Sequence, residues 1–341
     1  MRAVMYEAFG APLEVRDAPD PVAPPGGVVI RVEATGLCRS DRHGWQGHDP
    51  DIRVFPHVPG HELAGTLAEV GAGVTGWKPG ARVAVPFVCA CGRCRSCRTG
   101  DQQVCENQTQ PGFTHWGSFA EYVVVNDAEV NLIALPDDLT YAAAAGLGCR
   151  FATAFRAVVT HGRPGPGDWV AVHGCGGVGL SAVMTAAAMG AQVIAVDVAP
   201  AALDLASRFG AAVTIDASRT DVVEAVHEAS DGGVQVSLDA LGSPVTARDS
   251  IAGLRRRGRH VQVGLVLEPA ELPLHLVIGR ELEILGSHGM AAHAYAPLMG
   301  MVQAGTLDPE ALITRTITLD EAPAALEAMD TPGITMIHPR P

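Results

Sequence analysis

The chain has 341 residues, 48% of them hydrophobic, and a formal net charge of -13. That length exceeds what a single hydrophobic core usually serves, so two domains are expected. The acidic balance argues against nucleic acid or an anionic membrane as a partner, because both call for basic surfaces.

The first ten residues, MRAVMYEAFG, carry charged and polar side chains where a signal peptide needs an apolar run. A cytoplasmic protein without a membrane span is expected. Up to about residue 150 the chain is dense in Gly and Pro. Its short apolar runs, VVIRVEATG (28–36), LAGTLAEVG (63–71), ARVAVPFV (81–88) and FAEYVVVN (119–126), read as strands of an irregular β-barrel or of paired sheets. Cys38 lies at the end of the first run, in GLCRSDRHGW, and the His61-Glu62 pair opens the second, in VPGHELAG. Next comes Cys91-x2-Cys94-x2-Cys97-x7-Cys105, and later Cys149 in GLGCRFATAF.

These cysteines divide into two kinds of metal site. Four thiolates within fifteen residues suit a closed structural zinc site, whereas Cys38, His61 and Cys149, gathered from distant segments, leave a fourth tetrahedral position open, as a catalytic zinc needs. Two thiolates and one neutral imidazole balance the charge of Zn2+. Asp41 and Glu62 are candidates to stand behind the ligands, where a carboxylate orients a histidine or modulates the metal. Arg93, Arg95 and Arg98 lie among the four cysteines and either offset their negative charge or form an ordinary solvated loop. Cys89 and Cys175 fit neither spacing and read as packed thiols. In a chain this long, ligand-like spacing favours reduced cysteines over disulfides.

From residue 168 the texture changes to strand and helix in alternation: WVAVHG, an Ala-rich helix, QVIAVD, AALDLASRFG, AVTID, VQVSLDALG, HVQVGLV and LEILGS. This pattern predicts an α/β fold with a doubly wound parallel sheet. Residues 151–285 are expected to form this domain. Residues 1–150 form the β-rich one, with 286–341 returning to it through TITLDEAPAALEAMD, read as a strand, a capped helix and an ending. Between the first strand and the Ala-rich helix stands Gly174-Cys175-Gly176-Gly177-Val178-Gly179, and Asp197 closes the next strand. Gly174, Gly176 and Gly179 allow a tight turn and close approach of a pyrophosphate to the helix N-terminus. Asp197 can accept the ribose hydroxyls of NAD and would repel the 2'-phosphate of NADP; alternatively it caps the following helix.

The motifs GLCRSD, PGHE, Gly73-to-Val83, the four-cysteine lobe and GCGGVG occur in the order seen in zinc-dependent alcohol dehydrogenases. The chain strongly resembles that family, part of the medium-chain dehydrogenase/reductase superfamily, over nearly its whole length. The resemblance implies a GroES-like catalytic domain, a Rossmann domain and an active site in the cleft between them. It further implies two zinc ions per subunit and a homotetramer or homodimer. The expected substrate is a small primary or secondary alcohol, converted reversibly to an aldehyde or ketone with NAD+. By resemblance, Ser40 and His43 relay the alcohol proton to water through the nicotinamide ribose, Arg39 contacts the cofactor pyrophosphate, and Glu62 belongs to the catalytic group. Trp45, Phe87 and Trp116 are candidates for the substrate pocket or simply for the core. Cys149 at the third ligand position resembles alcohol rather than polyol dehydrogenases, where Glu is common. Three departures stand out: Ala202 and Ile334 occupy positions where relatives often carry Lys and Arg, and Ala81 replaces a common Asp. Weaker NAD binding is expected from the first two. A thiol-dependent formaldehyde dehydrogenase and a redox-inactive structural or regulatory relative remain alternatives.

Overall fold

Val28–Leu37 is the strand on which the β-rich part of the molecule is assembled, in a computed structural model that describes residues 1–329 and 331–340. Its alternating Val28, Ile30 and Val32 pack with Leu63, Leu67, Val83, Val85, Val123 and Val125 in one core cluster. Each such side chain contributes about 1.5–3 kcal/mol when fully buried, before the entropy of ordering it. The sheet runs Ile313–Thr318, Ile334–His338, Val28–Leu37, Glu62–Val70, Arg82–Val85 and Ile133–Ala134, with Tyr122–Val125 also paired to Val28–Leu37. Only the pair Ile313–Thr318 and Ile334–His338 is parallel among these. Antiparallel register sets Gly36 opposite Glu62, so the chain leaves this strand at Cys38 beside the segment that carries His61.

The chain divides into two compact units. One comprises Met1–Ala152, Gly289–Gln303 and Asp308–Pro341; the other comprises Thr153–His288 and Ala304–Leu307. In the second unit all strand pairs are parallel, in the spatial order Ala211–Asp216, Gln192–Asp197, Trp169–His173, Val234–Asp239, Leu254–Gln262, Glu283–Gly286. Counted along the chain this is 3-2-1-4-5-6, the doubly wound order, with its switch point at the first strand. Because helices cover parallel sheets, such strands read as continuous apolar runs, and Val170 to His173 are all buried.

The strand that sequence reading starts at His260 begins at Leu254; its exposed Arg255, Arg256 and Arg257 mask it. Ile334–His338 is a strand where only an ending is expected after the helix Ala322–Ala328. Tyr141–Gly162 is a helical run of 22 residues, long and apolar enough to cross a membrane, with 78% of its apolar window buried inside the protein. Burial accounts for its hydropathy without a bilayer.

Candidate active site

Cys38, His61, Glu62 and Cys149 place one ligand atom each within 4.8 Å of one another, all in the first unit. Three local features bring them there. Cys38 is the N-cap residue of the short helix Arg39–Trp45, and Asp41 in its first turn accepts the Cys38 backbone amide through Oδ2 at 2.9 Å. Gly60, at φ +104°, takes a backbone conformation that L side chains rarely adopt, and its amide donates to Asp41 Oδ1 at 3.0 Å. His61 Nδ1 lies 2.8 Å from the same Oδ1. An ionised carboxylate only accepts, so the Nδ1 proton points at Asp41 and Nε2 is the nitrogen that a metal can bind, displacing the proton the ring otherwise carries there. Among the described residues His61 Nε2 is buried without a hydrogen-bond partner. Such an atom calls for an explanation. A zinc ion held by Nε2 and the sulfurs of Cys38 and Cys149 supplies one, and the donor set fits it.

Electrostatics favour a thiolate at Cys38, while the hydrogen bond to Cys38 and burial raise the Cys149 thiol well above its ordinary value. Cys149 first, then His61 and Arg150, hold the Cys38 thiol well below its ordinary value against the effect of burial. Burial opposes charge on His61, but Asp41 and Cys38 outweigh it and raise the ring well above 6.5. Glu62 does not stand free beside the sulfurs. Its Oε1 accepts the backbone amide of Arg150 at 2.8 Å and Nε at 2.9 Å; Oε2 accepts Nε at 2.9 Å and, more closely, a terminal nitrogen. Burial leaves Glu62 raised from its ordinary value despite Arg150, while Glu62 and Cys38 raise Arg150 against burial. The two-nitrogen grip decides for the ionised pair, since a neutral Glu62 would strand a buried guanidinium. Arg150 is absent from the sequence-level candidates. Its only signal is adjacency to Cys149.

Ser40 Oγ lies 3.8 Å from Cys38 Sγ. His43 is exposed on the same short helix, its Nδ1 3.2 Å from Nδ1 of His48. Burial, followed by His48 and Arg39, lowers the His43 pKa, so the ring is neutral and able to accept a proton at pH 7. Arg39 is exposed. Phe87 and Phe113 pack edge-on against His61, with centroids 6.2 and 5.4 Å away. Trp45 belongs to the core instead: it packs on a buried cluster and donates to Ala11 O at 2.8 Å. Trp116 donates to Pro56 O at 2.9 Å and, with His57 and Phe113, lines an apolar cavity of about 400 Å³.

Cys91, Cys94, Cys97 and Cys105 also place their sulfurs within 4.8 Å of one another. Backbone amides of Cys91 and Asn107 donate to Cys105 Sγ at 3.3 and 3.4 Å; burial raises this thiol and the two amides oppose that effect. Arg93 hydrogen-bonds Cys91 O and Asp127 rather than a sulfur, while Arg95 and Arg98 are exposed. The solvated-loop reading of these arginines suits that geometry. Beneath the lobe, buried Asn131 accepts the Ala90 amide at 2.7 Å and donates to Ala90 O at 2.9 Å, a clamp not singled out from sequence. Cys89 and Cys175 are packed thiols, each pushed up to about 12 by burial.

In the second unit Gly174 turns at φ +91° and Gly176 is the N-cap of the helix Gly177–Ala188, whose first turn contains Val178 and Gly179. A Cβ on Gly179 would run into the carbonyl oxygen of Gly174, whereas one on Gly176 would meet no protein atom within 4 Å. The first glycine is needed for packing. The second leaves open space at a helix start, which is what a pyrophosphate requires. Asp197 Oδ2 accepts the Cys175 amide at 2.6 Å, and Oδ1 accepts Val198 and Ala199 amides at 2.8 and 2.9 Å. These contacts fix the carboxylate at the strand end beside the loop. Asp239, at the end of the strand on the other side of Trp169–His173 and also unforeseen, accepts the Leu241 and Gly242 amides and is held by Gln262.

Two clusters of cysteine ligands in one chain with such a glycine loop on a parallel sheet define a class: oxidoreductases that use zinc and a nicotinamide dinucleotide. Comparison with known proteins narrows it. Residues 24–137 match the alcohol dehydrogenase GroES-like domain, and residues 177–304 match the zinc-binding dehydrogenase domain. An alcohol dehydrogenase of Geobacillus stearothermophilus is 35% identical over 288 residues, covering 84% of each chain. An S-(hydroxymethyl)glutathione dehydrogenase of Escherichia coli is 34% identical over 361 aligned positions, covering 96% of each. The solved alcohol dehydrogenase TADH from Thermus sp. ATN1 gives a TM-score of 0.91 at 32% identity over 99% of both chains. The chain belongs to the zinc-binding alcohol dehydrogenase family.

Proposed function

We propose that the protein oxidises a small primary or secondary alcohol reversibly to an aldehyde or ketone with NAD+. The observation that carries this reading is His61 Nε2, buried and unpartnered, in a group with the Cys38 and Cys149 sulfurs. Zinc bound by these three residues would supply Lewis acidity to a substrate oxygen, and NAD+ would take the hydride. Everything else is the work of the chain. Asp41 holds the His61 tautomer, Ser40 takes the alcohol proton, and exposed His43 passes it to water. Glu62 steadies the centre from behind through Arg150. Arg39 contacts the cofactor, Gly174, Gly176, Gly177, Val178 and Gly179 hold its pyrophosphate, and Asp197 selects NAD over NADP by charge. Cys91, Cys94, Cys97 and Cys105 hold a second, structural zinc.

Ser40→Ala should lower kcat by about 100-fold or more, the usual scale for a lost proton-transfer group, with zinc content unchanged. His43→Gln should lower kcat less and respond to added imidazole buffer. Wild-type kcat in Ser40→Ala would remove the relay from the account. The glutathione-adduct relative favours a second reading, oxidation of a formaldehyde–thiol adduct. It predicts formaldehyde turnover only with a low-molecular-weight thiol present.

The reading extends to a homo-oligomer, dimer or tetramer, in the cytoplasm. Leu265, Leu267, Leu274 and Ile278 are 76, 68, 61 and 82% exposed within a short stretch that leads to the edge strand Glu283–Gly286. Exposed apolar surface next to a sheet edge suits burial against a second copy. All eight cysteines are free thiols, which suits a reducing compartment.

A further inference from the structure

We propose that Arg150 is the positioning residue of the metal centre: it joins the three ligand-bearing segments before metal arrives and keeps Glu62 out of the coordination sphere. This rests on the reading that Cys38, His61 and Cys149 bind the metal. Arg150 directly follows Cys149. Its guanidinium donates to the carbonyl oxygen of Leu37, the residue before Cys38, at 2.9 Å. The same group grips Glu62, the residue after His61. One side chain therefore bridges the neighbours of all three ligands.

Glu62 is the reason such a bridge matters. One of its carboxylate oxygens lies within 4.8 Å of the ligand atoms of Cys38, His61 and Cys149, close enough to compete for a fourth position. A carboxylate there would occupy the place that a substrate oxygen needs. A carboxylate offers about four lone-pair sites. Arg150 makes four donor contacts to Glu62, two to each oxygen, counting its own backbone amide. The Nε proton is shared between the two oxygens, so three N–H groups engage the carboxylate and compete with a metal for its lone pairs. The backbone is shaped around this arrangement as well: a Cβ on Gly36 would run into Glu62 Oε2 and stand 2.6 Å from an Arg150 terminal nitrogen. General stability alone is a poor explanation for the pair, since apolar packing commonly serves as well as a buried ion pair.

The test uses full-length protein depleted of metal, with Zn2+ affinity measured by competition against a chromophoric chelator and coordination read from the Co2+ absorption spectrum. Arg150→Gln should weaken zinc binding at the Cys38 centre by about 10- to 100-fold, the scale for losing a partner behind metal ligands. The four-cysteine site should keep its metal, which reports that the fold is intact. The Co2+ spectrum should lose intensity as Glu62 enters and the coordination number rises, and Glu62→Gln in the same chain should restore the tetrahedral bands. Zinc affinity within twofold of wild type, with an unchanged Co2+ spectrum, would overturn the proposal. Should Arg150→Gln fail to fold, Arg150→Lys keeps the charge but loses the fork, and its Co2+ spectrum must still shift; a wild-type spectrum again overturns it. Cys38→Ala separates the two layers of the argument. If that variant retains both metal equivalents, the ligand assignment fails, whatever Arg150 does.

Discussion

At the scale of single residues the two metal groups were legible in unequal measure. Four closely spaced cysteines announce themselves, because nothing but metal or disulfide chemistry favours that spacing. Cys38, His61 and Cys149 become readable only together with the glycine loop. Arg150 was not legible at all: an arginine beside a ligand looks like a solvated loop residue until tertiary structure buries it on Glu62. The glycine loop gives a sharper residue-level prediction. Gly179→Ala should destabilise the fold by roughly 1–3 kcal/mol through overpacking against Gly174. Gly176→Ala should leave stability within about 0.5 kcal/mol and still raise KM for NAD+ about tenfold or more. Urea unfolding and NAD+ kinetics on the two variants check this; similar effects of both substitutions on stability would contradict the separate roles.

Elements were read well where one periodicity ran cleanly and poorly where surface residues interrupted it. Trp169–His173 and Gln192–Asp197 match the apolar runs closely. Leu254–Gln262 was legible only in its second half, because Arg255 to Arg257 face solvent and a register shift interrupts its pairing with Val234–Asp239. Ile334–His338 was missed because its five residues follow Pro and Gly and gain their meaning from pairing with Val28–Leu37 and Ile313–Thr318. At the end of Trp169–His173, burial holds the His173 ring neutral and lowers its pKa from 6.5 to about 4. The unfolded chain takes up this proton near pH 6.5 and the folded chain only near 4. The contribution is therefore fully present above pH 6.5 and is lost as pH falls, by roughly 3 kcal/mol at pH 4. Because His173 Nε2 has no hydrogen-bond partner among the described residues, His173→Phe should flatten this part of the stability–pH curve. An unchanged slope between wild type and variant would contradict it. In the cysteine lobe, Cys94→Ser should lower stability or assembly and metal content while leaving much of the alcohol turnover, measured on the folded fraction.

For the molecule as a whole, the division into a β-rich unit and a parallel-sheet unit was legible from the change in texture near residue 150. The finer assignment was not: Ala304–Leu307 groups with the second unit although the segments around it belong to the first. Net charge pointed away from nucleic acid as a partner. Substrate identity was illegible because it depends on side-chain placement around loops. The central claim is that the Cys38, His61 and Cys149 centre holds a zinc that NAD+-linked alcohol oxidation requires. Its most direct test is zinc stoichiometry measured together with NADH formation on a panel of primary and secondary alcohols, in wild type and Cys38→Ala. The account predicts two zinc ions per chain and turnover in wild type, against one zinc and no turnover in folded Cys38→Ala. Two zinc ions and wild-type turnover in the variant would contradict it.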